Sequence, residues 1–404
     1  MIPLEEARAR IDRDISVLPS VEVPIAEARG LVLTETVTAG EDIPPFDNTA
    51  MDGFALRAAD SAGASEAAPV VLPVVATVAA GSVAPRTLEA GEAMRIMTGA
   101  PMPDGADAVI MVELTRASAD GNEVEILAEV PEGNHVRPAG DDVAVGAEIF
   151  NPGTVLGPGH LGVLASIGRT TVRVHQRPRV GVMSTGDELV EGPQPLRPGQ
   201  IRDSNRLTLL SLVAEAGCEP VDLGLIRDDE DAIRQALKRG ADETDAVITS
   251  GGVSMGDYDL VKAILNELGD VNWMQVAIKP AKPLAFGLLS GTPVFGLPGN
   301  PVSSMVSFEL FARPALLAMM GRPDVERPHL TAIADEGLSR WPDGKTHFVR
   351  VVVSQASDGA WYARSAGGQG SHQLKAMAVA NGLAIVGDGD GIPPGGTVSV
   401  IHLG

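Results

Sequence analysis

The sequence predicts a multidomain α/β protein, with a central α/β domain built on a mostly parallel sheet and β-rich segments on either side. Three observations carry this. Strand-like and helix-like runs alternate from residue 178 to 325, the pattern of parallel strands joined by crossover helices. From about residue 45 to 145, and again after 326, short β-rich runs are broken by Gly, Pro and Asp. The length, 404 residues, also exceeds what one ordinary core organises, so about two to four domains are expected.

Element by element, Leu4, Ala7, Ile11, Ile15 and Leu18 recur at helical spacing, and Pro19 and Pro24 stop that helix. Val70–Val75 and Glu123–Val130 are typical of a β-rich inserted domain over 45–145. Residues 146–177 return to short strands and Gly-rich turns, with a helix at His160–Ser166. Pairing with the N-terminal helix would join 1–44 and 146–177 into one mixed, discontinuous domain.

Within 178–325, strand Arg179–Met183 leads into Ser184-Thr185-Gly186-Asp187, and helix Asn205–Ala216 ends at Gly217. Strand Val221–Ile226, helix Asp231–Lys238 and buried strand Ala246–Thr249 follow, the last entering Ser250-Gly251-Gly252. Tyr258–Leu268 is helical up to Gly269, and Val302–Met320 is the last long helix. In 326–404, strands at Thr346–Gln355, Trp361–Ser365, Gly382–Val386 and Thr397–Leu403 form a small β-domain, with a helix at Ser371–Ala378.

Composition narrows the function. Hydrophobic residues at 44% and charged residues at 21% fit a soluble globular chain, and aromatics at 3% leave the cores to aliphatic side chains. A net charge of −22 argues against general nucleic-acid binding, yet allows a small anion in a local basic pocket. Cys218 is the one cysteine, so no intramolecular disulfide forms; it reads as an inert core thiol. The seven histidines show no metal-ligand spacing. No signal segment opens the chain and no apolar stretch approaches the ~20 residues that span a bilayer, so a cytoplasmic protein without a membrane partner is expected.

Ligands of open α/β sheets bind at the carboxyl ends of the strands, where four features fall. Ser184-Thr185-Gly186-Asp187-Glu188 offers hydroxyls for an oxyanion and carboxylates for a hard cation; alternatively it only caps a following helix. Ser250-Gly251-Gly252 lets the backbone approach a phosphate, and Asp259 beyond it requires an intervening metal ion. Lys279 and Lys282, each followed by proline, supply point charges for an anion. Gly296–Ser303 contains Asn300 as N-cap and Pro301 at the first helical turn, which is also sound helix-start chemistry by itself. Outside the sheet domain, Asp42–Ala55 and Ile96–Pro103 are rigid polar segments that turns alone would equally explain.

The ordered set PPFDNTAMDGFA, IMTGAPMP, STGDEL, SGGVSMGDYD, IKPAKPLAFG, GLPGNPVS and GGQGSH spans most of the chain and resembles the MoeA family, which includes the gephyrin E domain and plant molybdenum insertases. The resemblance implies four domains: a linker and dimerisation domain (1–44 with 146–177), a projecting β-rich domain (45–145), a molybdopterin-binding α/β domain (178–325) and a C-terminal β-barrel (326–404). It also implies a homodimer that inserts molybdate into adenylated molybdopterin with Mg2+ and releases AMP. The expected protein partners are the molybdopterin adenylyltransferase and molybdoenzyme chaperones. By resemblance, Glu188, Asp228 and Asp259 hold metal or orient ligand, with Glu188 and Asp259 as metal ligands. Lys279, Lys282, Arg350 and Ser371 bind molybdate and phosphate, and Ser184 to Asp187, Ser250 to Gly252, Pro298, Pro301 and Ser303 line the substrate site. Asp52, Thr98 and Asp142 reach in from the partner subunit. One departure is Gln275, where some relatives carry a third lysine. Rival readings are the fold-related adenylyltransferase, which lacks the other three domains, and a gephyrin-like scaffold, for which no fused module or long linker speaks.

Overall fold

A computed structural model describes residues 1–252 and 260–404. The chain divides into two compact units, one of residues 1–21, 30–32 and 174–404, the other of residues 22–29 and 33–173.

In the first unit the central sheet is made from β1 (Arg179–Thr185), β2 (Glu219–Ile226), β3 (Ala246–Ser250) and β4 (Asp270–Gln275). A two-residue strand β5 (Ile278–Lys279) departs to a second sheet, and β6 (Pro283–Leu289) and β7 (Thr292–Leu297) complete the first. The strand order is β2-β1-β3-β7-β6-β4. Five strands share one direction and β6 alone runs against its two neighbours, so the mostly parallel sheet is as expected. Its sequence explains why: β3 is buried at every position, and β1 at every position after Arg179, as strands covered on both faces must be.

Helices supply that cover. α1 (Leu4–Asp14) is followed in this unit by α2 (Asn205–Glu215), α3 (Glu230–Glu243) and α4 (Leu260–Leu268). α3 starts where the Asp229 side chain accepts from the Ala232 N–H at 2.9 Å. It buries Ile233, Ala236, Leu237 and Gly240, one stripe at helical spacing, in a core with Leu223, Val247, Val261, Ile264 and Leu265. Each large aliphatic side chain so buried contributes roughly 1.5–3 kcal/mol before entropy is counted.

Two expectations need correction. α1 stops at Asp14 rather than running to Leu18, because Ile15 turns extended and the Leu18 N–H donates to Met319 O at 2.8 Å. The second concerns apolar length. Helix α5 (Pro301–Met319, 19 residues, mean hydropathy 1.3) is long and apolar enough to cross a membrane by composition, and the sequence reading passed over it. Its most apolar window is 83% buried inside the protein, as a core helix is. The Phe308–Ala312 stretch of α5 is π-helical, which accommodates Pro314 and its missing N–H.

β8 (His329–Ala334), β9 (Thr346–Gln355), β10 (Trp361–Ser365), β11 (Gly382–Val386) and β12 (Thr397–His402) follow, with helix α6 (Leu374–Val379) before β11. The sheet order β5-β9-β10-β8-β12-β11, with β11 pairing back onto β9, closes a five-stranded barrel. Strand β8 was missed from sequence because its inward residues are the small Ala332 and Ala334, which give a weak apolar signal. α6 begins three residues later than expected, because Gln373 folds back to accept the Gly370 N–H at 2.6 Å.

The second unit holds a six-stranded sheet in the order 108–111, 53–56, 93–96, 65–78, 123–128, 115–117. Phe54, Leu56, Leu72, Ile110, Val124 and Ile126 form one of its cores. A helix spans Pro158–Ser166, starting with proline in its first turn two residues before the expected start.

Candidate active site

Because β1, β3 and β7 are parallel neighbours, their carboxyl ends bring three loops to one edge of the sheet. Ser184, next to last in β1, donates its hydroxyl to the nearly inaccessible Asp203 carboxylate at 3.1 Å, which also accepts the Arg206 Nε–H at 3.2 Å. Gly251, with φ +97°, lies so close to the β1 end that a Cβ there would sit 3.0 Å from Thr185 O. Glycine is needed on both counts. Asn205 clamps the other two loops together: its Nδ2 donates to Ser250 Oγ and to Gly299 O, each at 2.7 Å.

These contacts decide two open readings. No helix starts at Ser184–Glu188; the chain continues through the paired segments Leu189–Val190 and Ile201–Arg202 before α2 begins at Asn205. The segment is therefore no helix cap. Asn300 does occupy the N-cap of α5 with Pro301 next to it, but its side chain makes no cap hydrogen bond.

An acidic edge lies beside these loops. The backbone N–H groups of Asp187 and Asp228 donate reciprocally to each other's carboxylates at 3.3 Å. Gly186, at φ +147°, leaves room for the Glu188 carboxylate, whose Oε2 would be 2.6 Å from a Cβ at that position. Asp187, Glu188 and Asp228 are all exposed. Asp259, expected as a metal ligand, lies outside the described residues. Among the described residues no three His, Cys, Asp or Glu side chains are grouped to hold a metal ion.

A second feature is an open cleft of about 930 Å³. It brings together Lys279, Lys282, Pro298, Ser303 and Ser371 from the predicted set, and does not include Pro301, Arg350 or the acidic residues. β5 puts Lys279 in register with His347 on β9, and the Val302 N–H donates to Ser371 O at 3.1 Å, which ties the start of α5 to the 367–372 loop. Four cationic side chains, Lys279, Lys282, Arg340 and Lys345, line the cleft against one carboxylate, Asp343. Arg340 and Lys345 are paired with Asp343, whose carboxyl they and His347 surround. The Lys345 ammonium foremost holds Asp343 well below the usual carboxylate range. Burial pushes His347 down from 6.5 despite its contact with Asp343. Among the described residues Lys279 and Lys282 form no ion pair.

Arg350 sits behind this wall and is fully buried. One terminal nitrogen donates to Gly368 O at 2.9 Å and Gly370 O at 3.2 Å, while Nε and the other terminal nitrogen have no partner among the described residues. Burial lowers its pKa. Its visible role is to shape the loop that carries Ser371.

In the second unit, Asp52 precedes strand 53–56 and Thr98 follows strand 93–96, which pair antiparallel through Gly53 and Ile96. The two meet there: Asp52 Oδ1 accepts both the Thr98 N–H and its hydroxyl at 2.7 Å, and these bonds lower its pKa. Asp142 is exposed and its N–H donates to Ile43 O at 2.9 Å; among the described residues no hydrogen bond joins it to that pair.

Family models place this chain in the molybdenum-cofactor biosynthesis class. "MoeA N-terminal region (domain I and II)" matches residues 2–168, "Probable molybdopterin binding domain" 181–318, and "MoeA C-terminal region (domain IV)" 339–403. The chain belongs to the MoeA family. It is 42% identical over 369 residues to molybdopterin molybdenumtransferase 2 of Mycobacterium tuberculosis, covering 90% of each chain. To the molybdopterin molybdenumtransferase of Haemophilus influenzae it is 37% identical, covering 99% of this chain and 98% of that one. A crystal structure of the molybdopterin biosynthesis MoeA protein from Pyrococcus horikoshii is similar over 100% of this chain and 99% of its own, with TM-score 0.81 and 32% identity.

Sequence reasoning missed Asn205, Asp203, Arg340, Asp343 and His347. Asn205 and Asp203 carried a signal, a polar run just ahead of a helix, that reads equally well as a cap. The Arg340–His347 group pairs within its own stretch of chain, but its meeting with Lys279 carried no signal, since that requires β5 to join β9.

Proposed function

We propose that this chain is a molybdenum insertase, transferring molybdate to the dithiolene of adenylated molybdopterin with release of AMP. The observation that carries the reading is the pair Lys279 and Lys282, which form no ion pair among the described residues and share a cleft with Ser303 and Ser371 in a chain of net charge −22. A site kept cationic in an acidic protein suits an oxyanion. Phosphoanhydride cleavage needs charge neutralisation and positioning more than a covalent catalyst, so no nucleophile is assigned.

In this reading Lys279, Lys282, Ser303 and Ser371 hold molybdate and phosphate, Pro298 and Pro301 fix the approach of the loops, and Arg350 positions Ser371. The main chain and hydroxyls of Ser184 to Asp187 and Ser250 to Gly252 receive the pterin substrate. The carboxylates of Glu188 and Asp228, with Asp259, suit Mg2+, which takes one or two carboxylates and fills its shell with water and substrate oxygens. When bound, the ion neutralises phosphate charge. The chain acts as a cytoplasmic homodimer, the Asp52–Thr98 pair and Asp142 facing the partner's site, on the four-domain boundaries 1–44 with 146–177, 45–145, 178–325 and 326–404. The adenylyltransferase is its expected supplier of substrate, and molybdoenzyme chaperones the expected recipients of its product.

The test is incubation with adenylated molybdopterin and Mg2+, with and without molybdate. AMP release and active cofactor that both require molybdate, and are lost in Lys279→Ala or Glu188→Ala, support the insertase. An intact adenylate, with ATP-dependent adenylation of free molybdopterin instead, overturns it.

A further inference from the structure

The cleft has a wall that none of the anion chemistry uses. Arg340 to Lys345 form a loop ahead of β9, and the Trp341 side chain stands on it at the cleft, 87% exposed. The chain has three tryptophans. Trp273 is engaged by the protein, its N–H donating to Asn266 at 2.7 Å and the Lys262 ammonium lying 5.4 Å above its ring. Trp361 is half-buried and tilts against His402 at 6.1 Å. Among the described residues Trp341 has no such ring contact.

A loosely attached surface loop would make this exposure unremarkable, but the loop is pinned. Arg340, its side chain only 3% exposed, donates to Lys345 O at 2.6 Å, Gly387 O at 2.9 Å and the carboxylates of Asp343 and Asp388 at 2.7 Å each. The Asp343 N–H adds a bond to Asp388 at 3.0 Å. The backbone that presents the indole is thus fixed to the barrel on both sides, while the indole is left open at a cleft that also holds two lysines without an ion pair among the described residues. An exposed aromatic face sharing a cleft with cations is an arrangement that receives a flat, anionic heterocycle, since stacking needs only a π-face and the phosphate finds its charge in the same cleft.

We infer that Trp341 is a stacking platform for the fused nitrogen heterocycle of the substrate, with its phosphate held by Lys279 and Lys282. This rests on the insertase reading, in which the substrate carries two such rings, a pterin and an adenine. Trp341 then sets affinity for the ring and leaves the anion subsite unaffected.

The experiment uses the full chain and three probes: AMP, pterin-6-carboxylate, and molybdate as an anion without a ring. Binding is followed by calorimetry, and by indole fluorescence for the two ring-bearing probes, in wild type, Trp341→Ala and Trp341→Phe, with circular dichroism confirming the fold. The inference expects Trp341→Ala to weaken binding of AMP, of pterin-6-carboxylate or of both by about tenfold. Trp341→Phe restores most of it, and molybdate affinity is the same in all three proteins. Whichever ring loses affinity is the one the indole meets. Unchanged affinity for both rings in Trp341→Ala, with molybdate still binding, overturns the stacking role and leaves the insertase reading standing. Wild type that binds no molybdate overturns the site reading itself, and the stacking role falls with it.

Discussion

The loops at the sheet's edge and the cleft beside the barrel belong to one unit and are built from different materials. The edge is main-chain work: Gly251 against Thr185 O, Gly186 making room for Glu188, and Asp187 and Asp228 exchanging backbone N–H bonds. The cleft is side-chain work, with Lys279 and Lys282 in no ion pair among the described residues while neighbouring cations are tied to Asp343. The difference teaches that adding one methyl group should damage the first region, whereas the second should respond to removal of charge and tolerate changes of shape.

Gly251→Ala gives the largest effect. At φ +97°, with Thr185 O 3.0 Å from the new Cβ, the residue must shift, and it carries Ser250 with it. Left-handed backbone alone costs a non-glycine residue about 1–2 kcal/mol. We expect turnover to fall roughly a hundredfold from misplacement of this loop. Full activity in Gly251→Ala would break the comparison at once.

Arg350→Ala comes next. It deletes a fully buried side chain and its bonds to Gly368 and Gly370, so urea unfolding should show a loss of about 3 kcal/mol. Arg350→Met keeps most of the volume and removes the two unpartnered nitrogens, so its loss should stay within about 1 kcal/mol. Equal losses in the two variants would mean that the charge itself holds the loop.

Glu188→Gln and Asp228→Asn sharpen the contrast at smaller amplitude. Both groups are exposed, so melting temperatures should hold within the change expected of about 0.5 kcal/mol. Meanwhile the Mg2+ concentration for half-maximal activity should rise about tenfold. An unaltered Mg2+ titration in both variants would remove them from the metal site.

The smallest effect is a pH slope. Burial holds His347 below its free value of 6.5, so between the two values the unfolded chain takes up the proton first. The stability that neutral His347 contributes is therefore complete above pH 6.5 and is lost as pH falls through the folded value. Melting curves from pH 8 to 5 should fall less steeply in His347→Gln than in wild type, and parallel curves would contradict the assignment. Cys218, buried with its thiol pushed up to about 12, should stay unreactive toward thiol reagents at pH 8 until the protein unfolds.

Much of this was legible in the sequence, unevenly and for physical reasons. Strands Thr346–Gln355, Trp361–Ser365 and Gly382–Val386 were bounded to the residue, because β-branched, aromatic or aliphatic runs sit between turn residues. Gly251, Lys279 and Lys282 could be singled out because their local chemistry is unusual wherever the chain takes them. The clamp from Asn205 to Ser250 and Gly299 was invisible, since it joins residues 45 and 94 positions apart. Arg350 looked like a simple anion ligand, and only the barrel's closure shows it buried behind the Ser371 loop. Helix α1 ended early because a bond to Met319 outweighed its periodicity.

The account's central claim is that Lys279 and Lys282 are the oxyanion site, and calorimetric titration of molybdate at low salt tests it most directly. Wild type should bind one molybdate per chain, each single alanine variant about tenfold more weakly, and the Lys279→Ala, Lys282→Ala double variant not measurably. A double variant that binds molybdate as wild type does would contradict the claim and send the search back to the edge of the sheet.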